Sequence, residues 1–456
     1  MSLVRILPGD VLKRLRDLPD ESVHCVVTSP PYFGLRNYGI DPTIWEPVRY
    51  SPMPILPEMP VPVHADPESF PSCNHDWGTR ESRHVVREEK VSGKTRTTDR
   101  FYGGDPTRRF DGNHQKHVDG VFCLKCGAWS GCLGNEPTPE LFVGHIVQVF
   151  REVRRVLRSD GTLWLNIGDS YMSSGGPNKK YPSRSVNSKS VSVVHLPEKN
   201  LFMIPSRVAM ALQSDGWILR SEILWAKQNG MPESIKDRPT CAHEKIFLFS
   251  RSPRYFYDYE GAKEPANAKN WHDMTSSGSY AAPGQKPQKM HLRSEVQNAR
   301  TQWKTITDRT IRRDLGGPRQ RQRESGQTIE YFHRNPRNVW FMPTQPFPEA
   351  HYATFPEELP RRAIQAGTPL HVCLKCGEPR NTEAQKHRSL SSCGCPENLS
   401  GAATVLDPFG GSGTTGLVAQ ELGRCAVLIE ASPENVEMAR RRILQSNPLF
   451  SDIRIV

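Results

Sequence analysis

Two short stretches at opposite ends of this 456-residue chain hold residue types that could do chemistry. The first is Thr28-Ser29-Pro30-Pro31-Tyr32: a hydroxyl, two prolines that stiffen the backbone and turn a carbonyl outward, and an aromatic ring. The second is Asp407-Pro408-Phe409-Gly410-Gly411-Ser412-Gly413-Thr414-Thr415-Gly416. Its glycines let backbone approach a ligand, and a helix from about Thr414 offers free N–H groups. Gly411, Gly413 and Gly416 match the dinucleotide fingerprint, and Glu430 stands near the distance expected of a carboxylate accepting from ribose hydroxyls. Taken alone, that spacing also suits a nicotinamide cofactor, or a tight turn that binds nothing.

Both motifs together, with Ser-Pro-Pro-Tyr roughly 380 residues ahead of the glycine segment, resemble the amino-methyltransferases of DNA in their circularly permuted β-class. The resemblance implies S-adenosylmethionine as methyl donor. It assigns the methionine and adenosine pocket to Asp407, Phe409, Gly411, Ser412, Gly413 and Thr414, and the ribose to Glu430. Asp10, in Pro8-Gly9-Asp10, matches an acidic position near the adenine amino group. Phe355, in a stretch running from His351 to Leu359, is expected against the methionine side. Trp225-Ala226-Lys227, Arg238 and His243-Glu244 resemble the segment beside the target base.

The catalytic composition makes chemical sense under that reading. An exocyclic amino nitrogen is a poor nucleophile because its lone pair is delocalised into the ring. Acceptors for its two hydrogens restore that lone pair, and the Ser29 hydroxyl and Pro30 carbonyl can supply them, with Pro31 holding the backbone. Tyr32 can stack on a base rotated out of the duplex. A sulfonium donor needs no covalent enzyme intermediate, so in-line placement supplies most of the rate. Serine at position 29 favours cytosine N4 as the target, with adenine N6 as the alternative. An RNA base methyltransferase and a zinc-bearing DNA-binding protein without catalysis stay open.

Two cysteine sets have metal-ligand spacing. Cys373-x2-Cys376 with Cys393-x-Cys395 is ribbon-like, and Cys73-x-His75 with Cys123-x2-Cys126 is a second, less regular set. Structural zinc at both is expected, against the alternative of free thiols. Cys25, Cys132, Cys241 and Cys425 are left over, with Cys25 and Cys425 in apolar strands.

The elements that must position these residues are those of an α/β protein. The expected fold is a Rossmann-like, circularly permuted, mostly parallel seven-stranded methyltransferase sheet with an antiparallel hairpin at one edge. Val4 to Leu7 and Val23 to Val27 read as strands flanking a helix, and the second strand ends at the Ser-Pro-Pro-Tyr loop. A helix from Pro139 to Leu157, a turn at Asp160-Gly161 and a buried strand from Thr162 to Ile167 follow. A helix over 203–213 and strands over 217–225 and 244–250 come next. Ala402 to Leu406 and Val427 to Ile429 supply the cofactor strands.

These elements divide the chain into core segments 1–40, 136–254, 338–370 and 401–456. Between them lie a zinc-binding insertion over 41–135, a target-recognition region over 255–337 and a zinc ribbon over 371–400.

Net charge of +11 suits a polyanion, and double-stranded DNA is the partner expected. Between Lys286 and Arg337 basic residues far outnumber acidic ones, with Trp303, Tyr331 and Phe332 interleaved, as a DNA-reading segment would have. Ser183, Arg184 and Lys189 are a second candidate phosphate contact. No run of eighteen apolar residues exists and the N-terminus lacks a signal peptide, so a cytoplasmic protein is expected. A homodimer is frequent in the resembled class though no residue demonstrates one, and nothing in the sequence identifies a partner restriction nuclease.

Overall fold

A computed structural model describes residues 3–34, 40–61, 72–78, 120–172, 196–197, 199–230, 232–265, 333–345, 355–380, 393–396, 399–446 and 452–456. The candidate phosphate contacts Ser183, Arg184 and Lys189, and nearly all of the basic segment from Lys286 to Arg337, lie outside the described residues.

Nine strands build the main sheet: β1 (Leu3–Pro8), β2 (Val23–Thr28), β3 (Leu157–Ile167), β4 (Ile218–Lys227), β5 (His243–Ser250), β6 (Val339–Met342), β7 (Thr404–Asp407), β8 (Cys425–Glu430) and β9 (Asp452–Ile455). Their order is β6-β4-β5-β3-β2-β7-β8-β1-β9. Every neighbouring pair is parallel except the two that β5 makes with β3 and β4. The expected seven strands are therefore nine, because a four-residue strand closes each edge, β6 on one side and β9 on the other. The expected edge hairpin, β4 with β5, lies one place inward, covered by β6.

Six helices are described: α1 (Val11–Arg16), α2 (Pro139–Val156), α3 (Ile204–Ser214), α4 (Glu358–Gly367), α5 (Thr414–Glu421) and α6 (Pro433–Ser446). Thr138 caps α2 by accepting from Leu141 N, and Pro139 opens the first turn, where a missing N–H costs nothing. The apolar face of α2, including Phe142, Ile146, Val149, Phe150 and Val153, is fully buried against α1, α3 and β3. Helices α4, α5 and α6 pack against one another beside β2, β7 and β8.

One expected turn is absent. At Asp160-Gly161 the strand continues, and the β2–β3 ladder jumps from Val23–Leu157 to Cys25–Thr162, leaving residues 158–161 as a bulge opposite His24. The bulge has a purpose in packing. Arg158 pairs with Asp160 at 2.8 Å and donates to the carbonyl of Cys376 at 2.8 Å. His24 accepts from Thr404 N at 3.1 Å and lies 3.3 Å from the carbonyl of Gly377, so the cysteine ribbon is moored on the ends of β2 and β3. Burial and the nearby Arg158 guanidinium push the His24 imidazole down to about 4, so it stays neutral in that mooring.

The segment after residue 40 contributes to the main core. A three-stranded sheet of Thr43–Trp45, Trp129–Gly131 and Val121–Phe122, and a ladder of Val48–Tyr50 with Met59–Val61, pack their apolar residues into the main core. Tyr50 donates to the carbonyl of Glu140 at 3.0 Å, which fixes the ladder on α2.

The described residues 259–265 and 333–336 belong to a second unit of the chain. Within it, Glu264–Pro265 pairs with His333–Arg334 and Lys263 bonds Glu260.

Arg158 is nearly buried and holds three partners, so Arg158→Met should lower unfolding free energy by about 3 kcal/mol in urea titration. A loss below about 0.5 kcal/mol would show that the ribbon is not moored there.

Candidate active site

Strands β2 and β7 are parallel neighbours, so both motifs leave the same edge of the sheet. At that edge Thr28 Oγ1 donates to Asp407 Oδ1 at 2.7 Å across 379 residues of sequence. Thr415 Oγ1 donates to Asp407 Oδ2 at 2.7 Å, and Phe409 N to Asp407 Oδ1 at 3.0 Å. The carboxyl is 1% exposed. Burial pushes its pKa up to about 6, against the lowering effect of those three hydrogen bonds.

Asp407 therefore faces inward and joins the two motifs. It is not among the residues that line the cleft beside them. Gly413 is also set back. It sits at φ +78° as the cap of α5, and a Cβ there would come within 2.8 Å of the Ala439 Cβ. Both residues shape the loop from behind.

The cleft has a volume of about 1050 Å3 including its open mouth. Asp10, Ser29, Pro30, Pro31, Tyr32, Phe355, Phe409, Gly411, Ser412, Thr414 and Glu430 all line it. Asp10 caps α1 through Lys13 N at 3.0 Å. Glu430, at the end of β8, accepts from Gly411 N at 2.8 Å through Oε2. Its Oε1 accepts from Ser432 N at 2.8 Å and Asn435 Nδ2 at 3.2 Å, so one acceptor position remains open on Oε2. Arg442 was not singled out from the sequence. Its guanidinium donates to Thr414 Oγ1 at 2.8 Å, Ser412 Oγ at 3.2 Å and Glu357 Oε1 at 2.8 Å. It thereby ties the glycine loop to the segment that carries Phe355.

On the catalytic side Ser29 Oγ donates to Tyr32 OH at 3.2 Å, and Tyr32 OH donates to Glu244 Oε2 at 2.6 Å. Lys227 Nζ meets Glu244 Oε1 at 2.5 Å. Asn166 Nδ2 donates to Glu244 Oε2 at 3.1 Å, and its own carbonyl oxygen stands 3.1 Å from Tyr32 OH. Asn166 was legible only as part of a buried strand, although a lone amide in Trp-Leu-Asn-Ile is itself a signal of a polar task. Gly168 lies under the Tyr32 ring, where a Cβ would approach Cε2 to 2.5 Å.

Both cysteine sets converge. In each, the four ligand atoms lie within 4.8 Å of one another. Cys73 Sγ is 3.8 Å from Cys123 Sγ, and Cys126 Sγ is 3.5 Å from His75 Nδ1. A tetrahedron with Zn–S near 2.3 Å and Zn–N near 2.0 Å has edges of about 3.8 and 3.5 Å, so the donor set fits zinc. Of the left-over cysteines, Cys25 is buried, Cys425 is half-buried, Cys241 is exposed and Cys132 is buried in the cleft wall.

A strand-end serine and proline loop thus stands beside a glycine-rich cleft closed by Glu430. Residues 23–441 match the DNA methylase family of the N6/N4 class. The type II methyltransferase M.XycI of Xanthomonas campestris pv. cyanopsidis is 32% identical over 97% of this chain and 88% of its own length. The type II methyltransferase M.Cfr9I of Citrobacter freundii is 30% identical over 96% of this chain and 87% of its own length. A solved PvuII DNA methyltransferase, described as cytosine-N4-specific, aligns with TM-score 0.44 and 15% identity over 98% of this chain and 88% of its own. That structural likeness is loose, and membership rests on the sequence matches. The chain belongs to the N6/N4 DNA methylase family: it is a DNA methyltransferase with S-adenosylmethionine as donor.

Asp407 gives this site a signature in stability. A carboxyl whose folded pKa is raised keeps its proton longer folded than unfolded, so stability is fully present below about pH 4 and declines as pH rises towards 6. The decline amounts to about 3 kcal/mol. Asp407→Asn should flatten the difference in unfolding free energy between pH 4.5 and pH 7 relative to the unsubstituted chain. An unchanged difference would place the carboxyl's folded pKa near its ordinary value.

Proposed function

We propose that this enzyme methylates the N4 amino group of cytosine in double-stranded DNA, as the methyltransferase of a type II restriction–modification system. The observation that carries the reading is the Ser29 hydroxyl. It lines the cleft beside the glycine loop and is hydrogen-bonded onward to Tyr32. The type II names of the relatives support the modification role.

The sulfonium of S-adenosylmethionine supplies an electrophilic methyl group. The chain's own residues prepare the acceptor. Ser29 Oγ donates its proton towards Tyr32, which leaves its lone pairs for a hydrogen of the target amine. The Pro30 carbonyl takes the second hydrogen. The nitrogen then sheds one proton, for which Ser29 Oγ, Tyr32 OH and Glu244 Oε2 offer a connected path. Lys227 keeps the Glu244 carboxylate in place. Glu430 is suited to the ribose through its open acceptor position, Asp10 to the adenine amino group and Phe355 to the methionine side. Residues 255–337 are suited to reading the duplex, and the two cysteine sets to holding structural zinc.

Incubation with S-adenosylmethionine and mixed-sequence duplex DNA, followed by nucleoside mass spectrometry, should yield N4-methylcytosine. N6-methyladenine would overturn the base assignment. Ser29→Ala should lower kcat by roughly 10²-fold or more with cofactor binding retained, and Glu244→Gln should fall in the same direction. Elemental analysis of the purified chain should give two zinc per protein, and none would overturn the metal reading.

A further inference from the structure

Among the residues lining the cleft, Ile40, Thr43, Trp45, Cys132 and Leu133 belong neither to the catalytic motif nor to the glycine loop. Four of them fall within the cysteine-bearing insertion, and all are fixed by its three-stranded sheet. Thr43 to Trp45 pairs with Trp129 to Gly131, Trp45 Nε1 donates to the carbonyl of Gly131 at 3.1 Å, and Cys132 Sγ lies 3.3 Å from the carbonyl of Ile40. Trp129 anchors the sheet. Gly120 and Gly131 fit against its ring so tightly that a Cβ at either would come within 2.3 Å of it.

The same sheet leads directly into the first cysteine set. Its third strand, Val121–Phe122, is followed at once by Cys123. The knuckle that returns the chain to Trp129 is closed by Cys123 N to the carbonyl of Ala128 at 2.7 Å and Gly127 N to the carbonyl of Cys123 at 3.0 Å. Trp77 bridges to Cys123, which brings in the Cys73 and His75 arm. From the cluster to the cleft wall the path is one short antiparallel hairpin.

That hairpin also backs the catalytic loop. Gly34 N donates to the carbonyl of Gly134 at 2.8 Å, and Gly134 packs against Pro31 and the carbonyl of Tyr32. Glu136 fixes Gly134 through its N–H at 2.7 Å and bonds His145 at 2.9 Å, and the His145 ring stacks on Trp45 and Trp129.

We infer that the Cys73, His75, Cys123 and Cys126 site controls cofactor affinity, because the metal held there sets the sheet that forms one wall of the S-adenosylmethionine cleft. The cluster thus has a task beyond folding its own loop. The strands are only two or three residues long: Trp45 and Trp129 tie one end of the sheet to the main core, and the cross-link at the turn fixes the other end. The second cluster, at Cys373, Cys376, Cys393 and Cys395, is moored to Arg158 and His24 and contributes no residue to the cleft.

The inference rests on the reading of this cleft as the cofactor site, and the test separates the two. Zinc content is measured by elemental mass spectrometry, and affinity for S-adenosylhomocysteine by calorimetry, on full-length chains. Cys126→Ser should lose one zinc and bind S-adenosylhomocysteine at least tenfold more weakly. Cys376→Ser should lose one zinc with affinity within twofold of the parent. Leu133→Ala, which alters the wall and spares both clusters, should keep two zinc and still bind at least fivefold more weakly. Loss of zinc in Cys126→Ser with affinity unchanged overturns the inference alone, as does unchanged affinity in Leu133→Ala. A parent chain that binds no S-adenosylhomocysteine overturns the cofactor reading and the inference together.

Discussion

The contact on which the site depends is the hydroxyl-to-carboxylate bond between Thr28 and Asp407. Two motifs 379 residues apart in sequence become one site only if β2 and β7 lie side by side with their carboxyl ends level. The parallel ladder is short there, pairing only Val405 with Cys25 and Leu406 with Val26. Asp407 extends it with a side-chain bond and uses its other oxygen for Thr415 at the start of α5. A buried carboxyl is costly unless it is hydrogen-bonded, so its three donors specify one register of strand against strand and strand against helix. The glycine loop and the Ser-Pro-Pro-Tyr loop then take their relative position from a single buried group.

What the sequence disclosed follows local rules. Apolar runs of three to five residues marked β1, β2, β7 and β8, and the motifs stand directly after two of them, where an open α/β sheet binds ligands. Helix α2 was legible from its apolar periodicity after Pro139. Side-chain direction was not. Asp407 belongs to a motif in which a cleft-facing role looked natural, yet it ends a largely buried strand, and the neighbouring hydroxyls of Thr28 and Thr415 hold its carboxyl inward. The bulge at residues 158–161 was hidden for a similar reason. Asp160-Gly161 is a sound local turn signal, overridden because Arg158 and Asp160 are needed against the cysteine ribbon.

The strands of the insertion were not legible in the sequence, and the cause is physical. They are two or three residues long, separated by prolines and by a long polar stretch, so no window carries a period. The information lay in isolated large side chains: Trp45, Val48, Tyr50, Val61 and Trp129 all enter the main core. Such residues contribute burial without marking an element. A segment of this kind looks like an insertion in sequence and packs into the core in three dimensions.

The charge balance around Tyr32 bears on why position 29 carries a hydroxyl. The phenol already donates to a carboxylate, Glu244, and the described cation pairing with that carboxylate is Lys227. A second carboxylate at position 29 would stand at most about 6 Å from Glu244, on the far side of one phenol oxygen. Two negative charges at that separation repel by about 3 kcal/mol at an effective dielectric constant of about 20. One ammonium offsets one of them. A neutral serine avoids the conflict and still presents lone pairs to an amine, while leaving Glu244 as the negative end of the chain of hydrogen bonds. On the function proposed here, the same electrostatic constraint selects the residue at position 29 and fixes the direction in which a proton leaves the reacting nitrogen.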